Sequence, residues 1–199
     1  STRVGKLLME KCSKTVKKVT LELGGNAPFI VFEDADLDKA VAGLTASKLR
    51  NGGQSCICAN RVYVHVDVID SFVNKLKKAF SNIKVGDGLD GSNNLGAMIN
   101  KSAVEKIANL IANAQSHNAE VIYSGDGVIP GNGCFVQPTI LVNRNTNADI
   151  HHTEIFGPIV SITPFKNEEE VIKIANDTEY GLASYFYTED RNRIWRVAE

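Results

Sequence analysis

The residues around Cys56 form a segment in which a thiol could act as a nucleophile. The run Asn-Gly-Gly-Gln-Ser-Cys-Ile-Cys occupies residues 51–58, after an amphipathic helical pattern and before a β-rich run. Glycines let the backbone adopt positive φ and approach a ligand closely. Backbone N–H groups around such a turn can stabilise a thiolate or an oxyanion. A cysteine can equally be a small buried apolar residue, so the loop alone leaves both interpretations open.

A carboxylate and a second thiol accompany Cys56. Glu22 ends an apolar run that has the pattern of a strand, and it precedes a Gly-Gly pair where the chain can turn sharply. A carboxylate beside apolar residues is suited to act as a general base, although a solvated strand-end carboxylate would have the same sequence. Cys58 lies two residues beyond Cys56, and a disulfide between them would be strained and easily reduced. The alternative is that Cys58 is simply packed.

The elements that would hold these residues alternate between helices and strands. Apolar spacing predicts helices over residues 5–13, 37–49, 68–83, 102–116, 168–176 and 191–199, the second of them capped by residues 34–36. Alternation and β-propensity predict strands over residues 16–23, 27–32, 61–66, 120–123, 135–142, 159–165 and 182–187. A loop is expected over 86–96 and a turn cluster over 124–133. The order predicts an α/β fold with a mostly parallel sheet and flanking helices.

Composition restricts the classes of function. The 199 residues are 43% hydrophobic and carry a net charge of −1, which suits a globular domain and gives no basic footprint for nucleic acid or an anionic membrane. No apolar run approaches the ~20 residues that span a bilayer. The four cysteines make no disulfide framework, so reduced thiols inside a cell are expected. Residues 151–152 are both histidine, but adjacent histidines do not readily chelate one ion, and we predict no metal site.

Four segments resemble the aldehyde dehydrogenase superfamily in their order and rough spacing. They are Ser-Thr-Arg-Val-Gly at residues 1–5, Val-Thr-Leu-Glu-Leu-Gly-Gly-Asn at 19–26, Gly-Gln-Ser-Cys at 53–56 and Glu-Ile-Phe-Gly-Pro at 154–158. The resemblance is collinear over essentially the whole chain. Residues 49–61, 185–187 and 194–199 look most like the succinate-semialdehyde dehydrogenases. The resemblance implies the three-layer catalytic domain of that superfamily.

The resemblance also implies the chemistry. Cys56 would be the nucleophile that forms a thiohemiacetal and then a thioester, and Glu22 would activate the thiol or the hydrolytic water. The cofactor would be NAD or NADP. The residues that would contact it are Ser1 in a phosphate-binding turn, Leu23, Gly24, Glu154 on the nicotinamide-side ribose and Phe156 near the nicotinamide. Serine as a helix N-cap and phenylalanine as a core residue remain alternatives for Ser1 and Phe156.

Two further roles follow from the same resemblance. Arg50 would pair with the distal carboxylate of a semialdehyde, a task that a guanidinium fork performs better than an ammonium group. Its alternative role is that of a cation favoured by the C-terminal end of a helix dipole. Cys56 and Cys58 would form a reversible oxidative switch.

The resemblance predicts a division of the chain as well. Family members are roughly twice as long, there is no initiator methionine, and a helical pattern is still open at Glu199. We therefore expect residues 1–25 to be the end of a nucleotide-binding domain and 26–199 a truncated thiol domain, inactive by itself. The parent is expected to be a homodimer or homotetramer, cytoplasmic or mitochondrial, acting on a small aldehyde. A thiol esterase or acyltransferase and a non-enzymatic redox-sensing module stay open as alternatives.

Overall fold

The computed structural model describes residues 1–127 and 133–199. The helices are α1 (Thr2–Ser13), α2 (Leu37–Leu49), α3 (Ile69–Phe80), α4 (Lys101–Ser116), α5 (Asp149–His152), α6 (Glu168–Asn176) and α7 (Arg191–Ala198), and a 3-10 turn (Arg50–Gly53) follows α2. The strands are β1 (Ala27–Val31), β2 (Ala59–His65), β3 (Glu120–Ser124), β4 (Thr139–Val142), β5 (Ile159–Phe165) and β6 (Tyr185–Tyr187). Residues 128–132 of the predicted turn cluster lie outside the described part.

The strands form one sheet in the order β3-β4-β5-β2-β1-β6. Every neighbouring pair is parallel except β3 with β4, which is antiparallel. Parallel neighbours cannot be joined by a tight hairpin, so helices cross between them. The predicted mostly parallel α/β sheet is confirmed. No helix in the described part of the chain is long and apolar enough to cross a bilayer.

Helices cover both faces of the sheet. Successive strand residues point to opposite sides, so each strand contributes side chains to the apolar layers on both faces. In β5, Val160 and Ile162 join the apolar cluster beneath α2 and α3. Ile159 packs on the other face with residues of α4 and α5, and Phe165 packs there with residues of α6. The result is the three-layer arrangement that the family resemblance implies.

One predicted strand is wrong, and two are shorter than predicted by three residues or more. Residues 16–23 form no strand, since Val16 has a φ of 51° and the segment pairs with none of the six strands. A strand needs a partner for its backbone groups, and without one the β-propensity of these residues has no effect. The strand predicted over 135–142 begins only after Pro138, which has no N–H to donate. The strand predicted over 182–187 is confined to Tyr185–Tyr187.

A single arginine links several carboxylates at the side of the sheet where the parallel strands end. Arg193 of α7 donates hydrogen bonds to Glu33 Oε1 (2.6 Å), Asp34 Oδ1 (2.7 Å) and Glu168 Oε2 (3.2 Å). The first two carboxylates follow β1, and the third begins α6 just after β5. The guanidinium also lies 4.5 Å from the centroid of the Phe32 ring. Because the arginine side chain is only 14% exposed, these pairs are less screened than ordinary surface ion pairs.

Candidate active site

Three irregular segments meet at the opposite side of the sheet, where the parallel strands begin. Residues 24–26 lead into β1, residues 51–58 into β2 and residues 153–158 into β5. These three strands are adjacent and parallel in the order β5-β2-β1. The segments that precede them are therefore brought side by side, although they are far apart in sequence.

The thiol loop turns through three consecutive residues with left-handed backbone. The φ angles are 52° at Asn51, 67° at Gly52 and 75° at Gly53. Asparagine tolerates this region better than most residues, and glycine adopts it without steric strain. Gly53 must be glycine for a second reason as well, because an added Cβ would lie 2.2 Å from the carbonyl oxygen of Gly157. The loop is thus pressed directly against the segment that leads into β5.

Hydrogen bonds on both sides of Cys56 hold the loop in place. The Gln54 side chain donates to Asn51 O (2.9 Å) and accepts from the N–H of Ile99 (2.9 Å). Beyond the thiol, the hydroxyl of Tyr185 donates to Ile57 O at 2.7 Å. Cys56 itself is partly exposed. A thiol that is both accessible and held by its neighbours is suited to nucleophilic attack.

Gly25, in the glycine pair that comes after Glu22, contacts both the thiol loop and Glu154. An added Cβ on Gly25 would lie 2.0 Å from the Cys56 carbonyl oxygen, so only glycine fits there. The N–H of Gly25 donates to Glu154 Oε1 at 3.0 Å. One short segment therefore contacts the thiol loop on one side and orients a carboxylate on the other.

A cleft of about 640 Å³ opens between these segments. It is lined by Ser1, Glu22, Leu23, Gly24, Gln54, Ser55, Cys56, Ala103, Lys106, Glu154, Ile155 and Phe156. Seven residues that the sequence singled out are among them. Two are not. Arg50 is exposed at the C-terminal end of α2 and Cys58 is buried, and neither lines this cleft.

The structure corrects the expected surroundings of Glu22. Since residues 16–23 form no strand, Glu22 is not a strand-end carboxylate packed against apolar neighbours. Its side chain is exposed and lines the same cleft as Cys56. Water can therefore reach this carboxylate directly.

Ser1 and Phe156 also have features that their structural alternatives do not explain. Ser1 is the residue before α1, yet its hydroxyl makes no capping hydrogen bond. Phe156 has a φ of 56°, an unfavourable conformation for a bulky residue, and it belongs to none of the three apolar clusters of the described residues. Strained backbone of this kind is concentrated at functional sites.

Sequence reasoning missed Lys106. This lysine on α4 lines the cleft, and its Nζ donates to the backbone carbonyl of Glu154 at 2.6 Å. Partial desolvation of the ammonium lowers the pKa of Lys106, and the negative charge of Glu154 acts in the opposite direction. A lysine within an amphipathic helical pattern indicates only a solvated face. Its position emerges once α4 packs beside residues 154–156.

A buried histidine in α5 gives the fold a specific dependence on pH. His151 is 5% exposed, and burial lowers its pKa from 6.5 to about 4, with His152 and Arg61 acting in the same direction. The unfolded chain therefore takes up this proton first as the pH falls. The contribution to stability is complete above about pH 6.5 and is lost toward pH 4. We expect the free energy of unfolding to lose about 2 kcal/mol through this residue between about pH 7 and pH 5.

Urea unfolding at the two pH values measures this loss. A His151→Gln variant should show a flatter pH dependence than the unmodified chain by that amount. His152→Gln is the comparison variant. It leaves the burial of His151 in place and removes only the smaller electrostatic contribution of His152, so most of the pH dependence should remain. Equal pH dependence in all three proteins would contradict the assignment.

The fold and the cleft can be compared with known proteins. The model of the aldehyde dehydrogenase family matches residues 1–199. The chain is 53% identical to succinate-semialdehyde dehydrogenase [NADP(+)] of Escherichia coli (strain K12) and 52% identical to glutarate-semialdehyde dehydrogenase of Pseudomonas putida KT2440. Both alignments cover the whole chain but only 41% of the relative. The chain thus spans about two fifths of the length of the relatives that it matches.

Solved structures agree with this relationship. The crystal structure of succinate-semialdehyde dehydrogenase from Burkholderia pseudomallei is 49% identical, with a TM-score of 0.96 over all of this chain and 41% of that one. A structure of 3,6-anhydro-L-galactose dehydrogenase in complex with NAP is 37% identical, with a TM-score of 0.95 over all of this chain and 42% of that one. With the family model matched from end to end, the chain belongs to the aldehyde dehydrogenase family.

Proposed function

We propose that this chain is the thiol-bearing part of an NAD(P)-dependent aldehyde dehydrogenase that oxidises a small aldehyde with a distal carboxylate. The observation that carries the proposal is the single cleft in which Cys56, Glu22 and Glu154 come together. Its volume of about 640 Å³ is within the ~300–1,000 Å³ range of small-molecule sites. Residues 26–199 would form the thiol domain, and residues 1–25 would belong to the nucleotide-binding domain.

Cys56 begins the reaction. Its thiolate sulfur forms a bond to the aldehyde carbon, and the carbonyl oxygen takes the negative charge of the thiohemiacetal. The N–H of Cys56 donates to no described backbone carbonyl, so it is free to stabilise that oxyanion. The carbon then loses its hydrogen with the bonding electron pair as the C=O bond reforms, leaving a thioester on Cys56. A bound NAD or NADP supplies the acceptor for that hydride.

Glu22 completes the reaction. Water attacks the thioester carbon, Glu22 takes a proton from the water, and the sulfur leaves as thiolate. The product is the carboxylic acid. The position of Glu22 on the exposed wall of the cleft suits this role, because both the water and the thioester can approach it.

Several side chains of the cleft fit the nicotinamide half of a dinucleotide. The Gly25 N–H occupies one lone pair of Glu154, which leaves the carboxylate further acceptor capacity for two ribose hydroxyls. The free hydroxyl of Ser1 at the N-terminus of α1 suits a phosphate oxygen, and Lys106 adds positive charge to the same cleft. Leu23, Gly24 and Phe156 supply the remaining surface.

The substrate class is inferred from the names of relatives together with Arg50. Relatives are named for succinate semialdehyde, glutarate semialdehyde and, at 47% identity, 3-sulfolactaldehyde, and each of these aldehydes carries an anionic group. Arg50 lies outside the lining of the cleft, but it begins the 3-10 turn of the thiol loop, six residues before Cys56, and its exposed side chain is accessible to an anion. We propose that it binds the distal carboxylate.

The Arg50→Ala variant of the full-length protein tests this role. We expect its Michaelis constant for succinate semialdehyde to rise roughly tenfold to a hundredfold, the effect of losing a charge-assisted hydrogen bond. The constant for butanal, an uncharged aldehyde of the same length, should change little. Arg144→Ala, at another exposed arginine, is the control. An equal change for both aldehydes would show that Arg50 is structural.

One assay separates the proposed function from its nearest alternative. The full-length protein is mixed with succinate semialdehyde and either NAD or NADP, and the absorbance of the reduced cofactor is followed. Reduction of one or both cofactors supports the proposal. Hydrolysis of an activated ester without any cofactor reduction would instead favour a thiol esterase or acyltransferase built on Cys56 and Glu22.

The remaining alternative is a redox-sensing module. Cys56 and Cys58 are both free thiols in the structure, and the Cys58 Sγ lies 3.5 Å from Ala59 O in a buried position. A disulfide between them would require the loop to rearrange. Alkylation of Cys56 before and after mild oxidation would detect it. A switch of this kind can coexist with the enzymatic function.

The setting of the full-length protein is also part of the proposal. All four cysteines are free, which suits a reducing cytoplasmic or mitochondrial compartment. A relative from Oryza sativa is named as mitochondrial. We propose a homodimer or homotetramer as the assembled form.

A further inference from the structure

Glu154 is held on both sides by a single buried side chain. Asn60 lies in β2, four residues beyond Cys56, and is 3% exposed. Its Nδ2 donates to the carbonyl of Thr153 at 3.0 Å, and its Oδ1 accepts from the N–H of Ile155 at 2.9 Å. The amide therefore spans the backbone immediately before and immediately after Glu154.

A second asparagine closes the network. The Asn60 Nδ2 also donates to Asn26 Oδ1 at 2.6 Å, and Asn26 Nδ2 donates to the His151 carbonyl at 2.9 Å. Asn26 directly follows Gly25, whose N–H binds the Glu154 carboxylate. The Nδ2 and Oδ1 atoms of Asn60 thus bind Asn26, Thr153 and Ile155, which belong to the segments next to Glu154 and Gly25.

We propose that Asn60 is a positioning residue that sets the location of Glu154 relative to the Cys56 thiol. This inference rests on the proposed function, in which Glu154 binds the ribose next to the nicotinamide. Residues 153–158 form no helix or strand, so no regular hydrogen-bond ladder holds them. Asn60 ties them instead to β2, the strand into which the thiol loop leads.

The consequence for the reaction is geometric. Hydride transfer needs the thiohemiacetal carbon and the acceptor carbon at a separation of roughly 3–3.5 Å, and a displacement of about 1 Å can slow a reaction by a factor near a hundred. Addition of the thiol to a carbonyl needs no such alignment with a cofactor. Loss of Asn60 should therefore affect the cofactor-dependent step and spare the intrinsic reactivity of Cys56.

The test uses Asn60→Ala in the full-length protein. We expect the Michaelis constant for the cofactor to rise by about tenfold or more. Oxidation of the 1-deuterated aldehyde should show a larger isotope effect on kcat than in the unmodified enzyme, because hydride transfer becomes slower. Hydrolysis of p-nitrophenyl acetate without cofactor, which reports the Cys56 thiol alone, should stay within about twofold of the original rate.

Asn143→Ala is the matched control. Asn143 is another fully buried asparagine, just beyond β4, and its side chain binds Asn145 rather than the cleft. Its substitution should leave the isotope effect and the cofactor constant unchanged, whatever its effect on the free energy of unfolding. If Asn60→Ala does not fold, Asn60→Asp provides the same readouts, since it keeps an acceptor for Ile155 but loses the donors to Thr153 and Asn26.

The outcomes separate the inference from the function beneath it. A cofactor constant and isotope effect that match those of the unmodified enzyme would overturn the role of Asn60 and leave the dehydrogenase standing. Equal losses of oxidation and ester hydrolysis would also overturn it, in favour of a merely structural asparagine. Absence of aldehyde oxidation in the unmodified full-length protein would overturn both.

Discussion

Replacement of Cys56 by alanine is expected to abolish aldehyde oxidation in the full-length protein. Turnover should fall by roughly four orders of magnitude or more, the scale observed when the nucleophile of an enzyme is removed. The physical reason is that hydride can leave the aldehyde carbon only after sulfur has added to it. Steady-state reduction of the cofactor measures the loss, and the absence of a burst of ester hydrolysis gives a second readout of the same thiol.

Cys58→Ala is the control for this substitution. Cys58 is buried and does not line the cleft, so its removal should leave most of the oxidation rate in place under reducing conditions. Retention of normal turnover by Cys56→Ala would refute the assignment of the nucleophile. A loss in Cys58→Ala as large as that in Cys56→Ala would show that the two thiols act as a pair.

Gly53→Ala is expected to damage both the stability and the activity of the protein. The residue has a φ of 75°, and the new methyl group would lie 2.2 Å from the backbone oxygen of Gly157. The atoms that the methyl group would meet belong to the backbone, so they cannot move aside as the end of a flexible side chain could. We expect the free energy of unfolding to fall by at least about 2 kcal/mol, as measured by urea denaturation. Ester hydrolysis by Cys56 should fall as well, because the thiol loop must shift.

Gly96 offers the contrasting substitution. No described heavy atom lies within 4 Å of the position that its Cβ would occupy, and its φ is outside the left-handed region. Gly96→Ala should change the free energy of unfolding by less than about 1 kcal/mol and leave the thiol reactive. Similar effects of the two substitutions would show that the close approach of the thiol loop to Gly157 is not a constraint on the fold.

The elements that could be predicted from the sequence are those with strong local signals. The apolar spacing predicts helix α6 over residues 168–176, and the helix has those bounds, since the Asn167 side chain caps it by accepting from Glu170 N–H. Strand β5 likewise matches residues 159–165, where side chains on both faces are buried. The failure over residues 16–23 has the opposite cause. Strand propensity was present there, but pairing depends on a neighbour that local sequence does not specify.

The same distinction applies to the candidate site. Seven residues selected from motifs line one cleft, because each motif places its residue within five positions before a strand or a helix. No role is predicted for Asn26 or Asn60, since the type of a single asparagine does not reveal its hydrogen-bond partners. Their partners lie 34 to 125 residues away and become apparent only when β1, β2 and β5 are aligned. Lys106 was missed for a similar reason.

The location of the cleft at the beginning of the parallel strands has a consequence for how this protein could change during evolution. In open α/β sheets ligands usually bind beyond the carboxyl ends of the strands. Here that edge carries the Arg193 ion pairs instead. Loops at that end of the strands can change in length or charge without moving the Cys56 thiol. A one-residue shift in the register of β2 would instead displace Cys56 and Asn60 together. Substitutions that change stability through the ion pairs and substitutions that change the substrate would therefore lie at opposite ends of the same strands.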